Sequence, residues 1–208
     1  YMAMAVLLAL LAFWLLRSPL PDIASESANV DMRREDQPGS LRDVPHLWLG
    51  VVCMFLYVGV EVMAGDAIGV YGEGFHLPLT TTRFFTSLTL FAMLAGYIAG
   101  VFITPRHMSQ QTYLALSAVL GIALCIAALF TRGYVSVACI AALGFANAMM
   151  WPAIFPLAIR GLGSLTERGS ALLIMAIAGG ALMPLAYALL KTHIDFQWAY
   201  AALAVPAY

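Results

Sequence analysis

Apolar residues in this chain come in long unbroken runs separated by short polar breaks. A membrane-spanning helix needs about 20 mostly apolar residues. Five runs reach that length: Leu47 to Val70, Arg83 to Thr104, Thr112 to Phe130, Tyr134 to Ile159 and Ser170 to Leu190. A shorter run, Met2 to Leu16, precedes them, and another starts near Phe196 and runs to Tyr208. The runs lack the strict alternation and the roughly 9–11-residue length of barrel strands. Pro152 and Pro156 interrupt the run from Tyr134 to Ile159; each removes a backbone donor and loosens the helix there.

Polar positions gather in one place. Residues 17 to 46 hold Pro19, Pro21, Pro38 and Gly39, with four arginines and six acids, and show no usable periodicity. This stretch reads as a linker with at most a short surface helix. With the linker in the cytoplasm and the spans alternating, Arg17, Arg33, Arg34, Arg42, Arg106, Arg160 and Arg168 fall on the cytoplasmic side. Arg83, Arg132 and Lys191 fall on the other. That excess of basic residues is the one expected of a cytoplasmic face.

Composition agrees with a membrane protein. The chain is 62% hydrophobic and 10% charged, against about 45–50% and about 25% in soluble domains. The net charge of −1 and the lack of a basic patch give no reason to expect nucleic acid. Cys53, Cys125 and Cys139 lie inside apolar runs and read as small hydrophobes rather than a disulfide set. The four histidines are scattered at or beyond span ends. No metal site, cofactor motif, phosphate loop or nucleophile motif is evident. The chain begins and stops inside apolar runs, so it reads as a piece of a longer polypeptide.

The expected fold is all-α and transmembrane. One span (residues 1–18) ends a first half, residues 19–46 form a cytoplasmic linker, and residues 47–208 form a carboxy-terminal six-helix half whose last helix is incomplete. That layout suits the second half of a twelve-helix carrier, in which each half carries an inverted three-plus-three repeat.

Candidate chemistry starts at Glu61, near the middle of the second run. A charge at mid-span costs roughly 2.5–3.5 kcal/mol on insertion scales, so such a group faces the bundle interior or a watery cavity. It binds something there, or pairs with a neighbouring helix. Asp66 follows five residues later, about 140° around the helix, and reads as a solvated group near the span end. Asn147 and Trp151 are four residues apart and, on one continuous helix, would share a face. A carboxylate, an amide and an aromatic ring are the groups a sugar requires: acceptors and donors for its hydroxyls and a flat apolar surface. Their structural alternatives are an ion pair, interhelical hydrogen bonding and simple packing. Gly96 and Gly100 form a small-residue pattern suited to close helix contact. Arg106, Arg160 and Arg168 flank cytoplasmic loops and are candidates for gating ion pairs.

Three segments carry a resemblance: Tyr57 to Val62 (YVGVEV), Asn147 to Gly163 (NAMMWPAIFPLAIRGLG) and Arg168 to Pro184 (RGSALLIMAIAGGALMP). In that order and spacing they resemble the seventh, tenth and eleventh helices of the bacterial glucose/galactose transporters. That group includes the L-fucose–proton symporters and lies within the major facilitator superfamily. The resemblance covers about Leu47 to Leu190. It implies a monosaccharide carrier of the bacterial inner membrane, driven by a proton or cation and working by alternating access. Its partners are then the sugar, the coupling ion, the lipid bilayer and an amino-terminal half. Members of the group tend to carry a small uncharged residue at the position of Asp66, so this chain departs from the pattern there. The alternatives are a drug or metabolite exporter of the same fold, a membrane-embedded enzyme using Glu61 and Asp66, and a sugar sensor without flux.

Overall fold

The computed structural model describes residues 2–17, 40–82, 84–103 and 108–208. Arg83, Arg106 and most of the linker lie outside the described residues. The chain divides into two compact units, residues 1–36 and 37–208.

In the first unit α1 (Met2–Arg17) is one apolar helix. Its side chains from Val6 to Trp14 include many large exposed hydrophobics, and the Arg17 guanidinium lies 4.2 Å from the centre of the Phe13 ring.

The second unit is a helical bundle. A single 3-10 turn, Leu41–Asp43, leads into α2 (Pro45–Gly65), which has Pro in its first turn, a position where the missing N–H costs nothing. At 21 residues α2 is about 31 Å long, enough to cross the roughly 30 Å hydrocarbon layer. It ends earlier than the apolar run suggested. The Thr86 and Thr89 hydroxyls donate to the carbonyls of Gly65 and Ala64, at 2.8 and 2.9 Å, and so satisfy end groups that the helix leaves open. The exposed Asp66 caps this end. Two short helices follow, α3 (Ile68–Glu73) and α4 (Leu79–Thr82).

α5 (Phe85–Ile103) and α6 (Gln110–Phe130) cross back and forth. The Ser109 side chain caps α6 by accepting from the Thr112 N–H, a standard start signal. Gly133, with φ +61°, makes the tight turn into α7 (Gly133–Asn147). α8 (Met150–Ala158) continues the span after a 42° bend. The bend is at residues 148–149, four residues ahead of Pro152. A proline ring clashes with the carbonyl four residues back and offers it no N–H. α9 (Thr166–Met175) and α10 (Gly179–Leu190) form one long span with a 3-10 turn, Ala176–Ala178, between them. Asp195 caps α11 (Phe196–Ala207) through the N–H groups of Gln197 and Trp198.

Among the described residues, four helical stretches are long and apolar enough to cross a membrane, and five if the bent pair α7–α8 is one span. The chain is therefore that of a multi-pass membrane protein. Large hydrophobics such as Phe91, Val101 and Phe130 face outward, as suits a lipid solvent.

Small residues let the helices meet. A Cβ at Gly179 would run into the Phe55 carbonyl, and one at Gly59 into Met183. Gly96 and Gly100 bring α5 against Phe145 and Met149. The close contact anticipated for that pattern is present.

Two apolar clusters result. The cluster toward Asp66 holds Val60, Met63, Ile68, Tyr71, Ile140, Leu143, Tyr187 and Tyr200. The cluster toward His46 holds Leu47, Met54, Tyr57, Met150, Ile154, Leu162 and Leu173. The seam between them crosses α2 near Glu61, the α7–α8 break and the 3-10 turn after α9.

Candidate functional site

Glu61 is half-buried on α2, one turn beyond Tyr57. Its carboxylate lies within electrostatic reach of three hydroxyls, those of Tyr57, Tyr97 on α5 and Tyr208 at the end of α11. Among the described residues no Lys or Arg forms an ion pair with it. The Tyr57 hydroxyl is buried and completes no hydrogen bond of good geometry.

Asn147 is the last residue of α7 and is fully buried. Its Oδ1 accepts a 2.7 Å hydrogen bond from the Tyr208 hydroxyl, while its Nδ2 is buried without a partner. Tyr208 packs against both apolar clusters, so it sits in the seam. Glu61 and Asn147 are thus brought to one polar layer, and Tyr208 connects them. Tyr97 and Tyr208 were not evident from sequence. Each is an aromatic in an apolar run, and only the packing of α5 and α11 reveals what it faces.

Trp151 stands differently from its expectation. The helix breaks between Asn147 and Trp151, so the two do not lie on the one continuous helix that their spacing assumed. Trp151 belongs to α8, half-buried, with its ring stacked on Phe155 at 6.3 Å and 11° between planes. It packs at the edge of the His46-side cluster. Asp66 is exposed at the end of α2, well separated in direction from Glu61.

Arg160 and Arg168 are exposed at the ends of α8 and α9. Among the described residues neither forms an ion pair, so the gating pairs anticipated for them are not formed in this conformation. The Arg160 carbonyl accepts from His46 Nε2 at 2.9 Å, which joins the end of α8 to the start of α2. Arg160 also stands at the rim of an apolar groove of about 390 Å³ between α2, α6 and α8, which includes Gly50, Cys53, Leu114 and Ile154. This groove lies away from the Glu61 layer and carries little polar chemistry.

Broken helices with polar groups at mid-depth are the usual material of a carrier's binding site. No family model matches the sequence. The chain is 30% identical over 204 residues to a glucose/galactose transporter of Brucella abortus, covering 96% of this chain and 48% of that protein. It is 24% identical over 189 residues to the L-fucose–proton symporter of Escherichia coli, covering 88% of this chain and 42% of that protein. A crystal structure of the major facilitator transporter FucP in the outward conformation superposes with a TM-score of 0.78 at 20% identity, over 100% of this chain and 51% of that one.

The fold is that of half a major facilitator carrier. The three segments that suggested this group from sequence converge on α2 in space: Gly59 of the first touches Gly179 and Met183 of the third, and the second joins α2 at the polar layer. The chain spans about half the length of the curated relatives it matches.

Proposed function

We propose that this chain is the carboxy-terminal half of a secondary carrier that moves a monosaccharide of the glucose, galactose or fucose type across the bacterial inner membrane. Transport is by alternating access and is coupled to a proton or cation, with residues 19–46 as a cytoplasmic linker. One observation carries the reading: a mid-span carboxylate that has no cation partner among the described residues, with tyrosine hydroxyls within electrostatic reach and one of them bonded to a buried amide at a helix break. Such a group is kept because it serves a ligand or a proton. Glu61 takes hydroxyl hydrogens of the sugar or the coupling proton, Asn147 donates to the sugar, and the Trp151 ring offers an apolar face. Arg160 and Arg168, and Arg106 beyond the described residues, serve the cytoplasmic gate in states where their partners approach. The names of the relatives support the substrate class.

The test is uptake of labelled glucose, galactose and fucose into vesicles carrying the full-length protein, with and without a proton gradient. Glu61→Gln is expected to lower uptake at least tenfold or to remove its dependence on the gradient; a drop of that size corresponds to about 1.4 kcal/mol or more. Wild-type rates for this variant under both conditions would take Glu61 out of the mechanism. A wild-type protein that moves none of the three sugars, yet exports cationic dyes, would favour the exporter.

A further inference from the structure

The two ends of the Asn147 amide are treated unequally. Oδ1 accepts from the Tyr208 hydroxyl, and Nδ2 is buried with no partner. An unsatisfied buried donor is costly and in a native structure calls for a reason. Tyr208 determines which way the amide faces: with Oδ1 on the hydroxyl, the NH2 group must point elsewhere. The Tyr208 ring is itself held, since a Cβ at Gly121 of α6 would run into it.

The place of this donor in the fold suggests what it waits for. Asn147 closes α7, and α8 departs at 42° after residues 148 and 149. Pro152 gives no N–H to the Ala148 carbonyl, so the backbone ladder does not hold this joint straight. Glu61 lies within electrostatic reach of the same Tyr208 hydroxyl. A carboxylate on that side disfavours an anionic ligand, and a neutral, hydroxyl-rich one accords with the sugar-carrier reading.

Resting on the sugar-carrier reading above, we infer that Tyr208 is a positioning residue for sugar recognition. It holds the Asn147 amide so that Nδ2, covered in this conformation, is presented to a sugar oxygen when α8 swings about the joint at residues 148–149. The donor is then offered in one state of the cycle and withheld in another. That difference in affinity is what allows a ligand to shift a conformational equilibrium.

The experiment uses the full-length carrier in proteoliposomes, with Tyr208→Phe, Asn147→Ala and the double variant. Tyr208→Phe is expected to raise KM for the transported sugar roughly three- to tenfold, the range of one hydrogen bond, with maximal rate close to wild type. In the Asn147→Ala background it should add nothing, because it acts only through the amide. An unchanged KM, or effects that multiply in the double variant, overturns the inference. Should Asn147→Ala fail to fold, sugar titration of tryptophan fluorescence in Tyr208→Phe alone decides: a raised Kd supports the inference and a wild-type Kd overturns it. If the wild type moves no sugar, the carrier reading fails and this one falls with it. If it moves sugar and Tyr208→Phe is silent, only this inference fails.

Discussion

The two apolar clusters on either side of the Glu61 layer are built on different plans. The one toward Asp66 is fastened by polar cross-links. Tyr71 on α3 and Ser136 on α7 share a 2.6 Å hydrogen bond, and Ser136 donates to the Ala128 carbonyl at 2.7 Å. The Gln197 amide of α11 donates to the carbonyls of Ala128 and Thr131, each at 2.8 Å. Those carbonyls belong to the open end of α6, so one side chain from another helix completes it. Tyr71, Phe75, Phe196, Tyr187 and Tyr200 then pack edge to face, with ring centres 4.8–5.8 Å apart. The cluster toward His46 is held mainly by packing, with the His46 to Arg160 and Trp48 to Leu41 bonds at its rim among the described residues. The difference teaches where the half is stiff. Elements joined by several satisfied buried hydrogen bonds keep one arrangement. Elements joined by apolar packing across a broken helix have freedom to shift, and the breaks at residues 148–149 and 176–178 both fall on the boundary.

The comparison is broken most severely by attacking the seam that both clusters share. Gly179 lets α10 approach the Phe55 carbonyl of α2 more closely than any Cβ allows. Gly179→Leu puts four carbons where backbone already stands. Overpacking of this kind costs about 1–3 kcal/mol and occasionally more, and here the obstacle is backbone that cannot rotate away. The expected outcome is loss of the monodisperse species in size-exclusion chromatography of the detergent-solubilised carrier. A variant that elutes and melts as the wild type does would mean that α2 and α10 are not in register as described.

Next in size is Gln197→Ala, which removes the cross-link on one side and leaves the other side untouched. The Thr131 carbonyl loses its side-chain donor, and the Ala128 carbonyl loses one donor while keeping Ser136. Hydrogen bonds inside membrane proteins are worth about 0.6–2 kcal/mol each, so a fall in stability of roughly 1–3 kcal/mol is expected. Amide exchange should quicken at the α6–α7 turn and the start of α11 and remain unchanged in α8 and α9. Equal loosening at both ends would show that the two clusters are one cooperative unit.

The sequence revealed the spans and concealed the joints. A span is a property of twenty consecutive side chains, so Thr112 to Phe130 matches α6 within two residues. A joint depends on backbone geometry displaced from its cause. Pro152 was visible, but the bend it produces falls at residues 148–149 and separates Asn147 from Trp151. Likewise the apolar run to Val70 gave no sign that α2 stops at Gly65, because the threonines that donate to its last carbonyls are on α5. Glu61 was legible as a candidate because one charge in a greasy helix is costly wherever it faces. Tyr97 and Tyr208 were not, because nothing local distinguishes a tyrosine that faces a carboxylate from one that faces lipid.

The smallest expected effect concerns Asp66, and it sharpens the comparison through two carboxylates on one helix. Glu61 sits in the layer between the clusters, half-buried and, among the described residues, without a cation partner. Asp66 sits where α2 ends, exposed to solvent, and its own backbone N–H already bonds to the Val62 carbonyl at 2.7 Å. A solvated carboxylate at a helix C-terminus meets the negative end of the helix dipole, so neutralising it removes a repulsion of about 0.3–1 kcal/mol. Asp66→Asn should therefore leave sugar uptake within about twofold of wild type and raise the melting temperature by no more than a few degrees, given the rough scale of several degrees per kcal/mol for a domain of modest size. Uptake and thermal melts on the same preparation test both halves of this expectation. A tenfold loss of uptake at Asp66, with Glu61→Gln near wild type, would move the working carboxylate from the layer to the end of the helix and would make the Asp66 side, not the seam, the place where cargo is held.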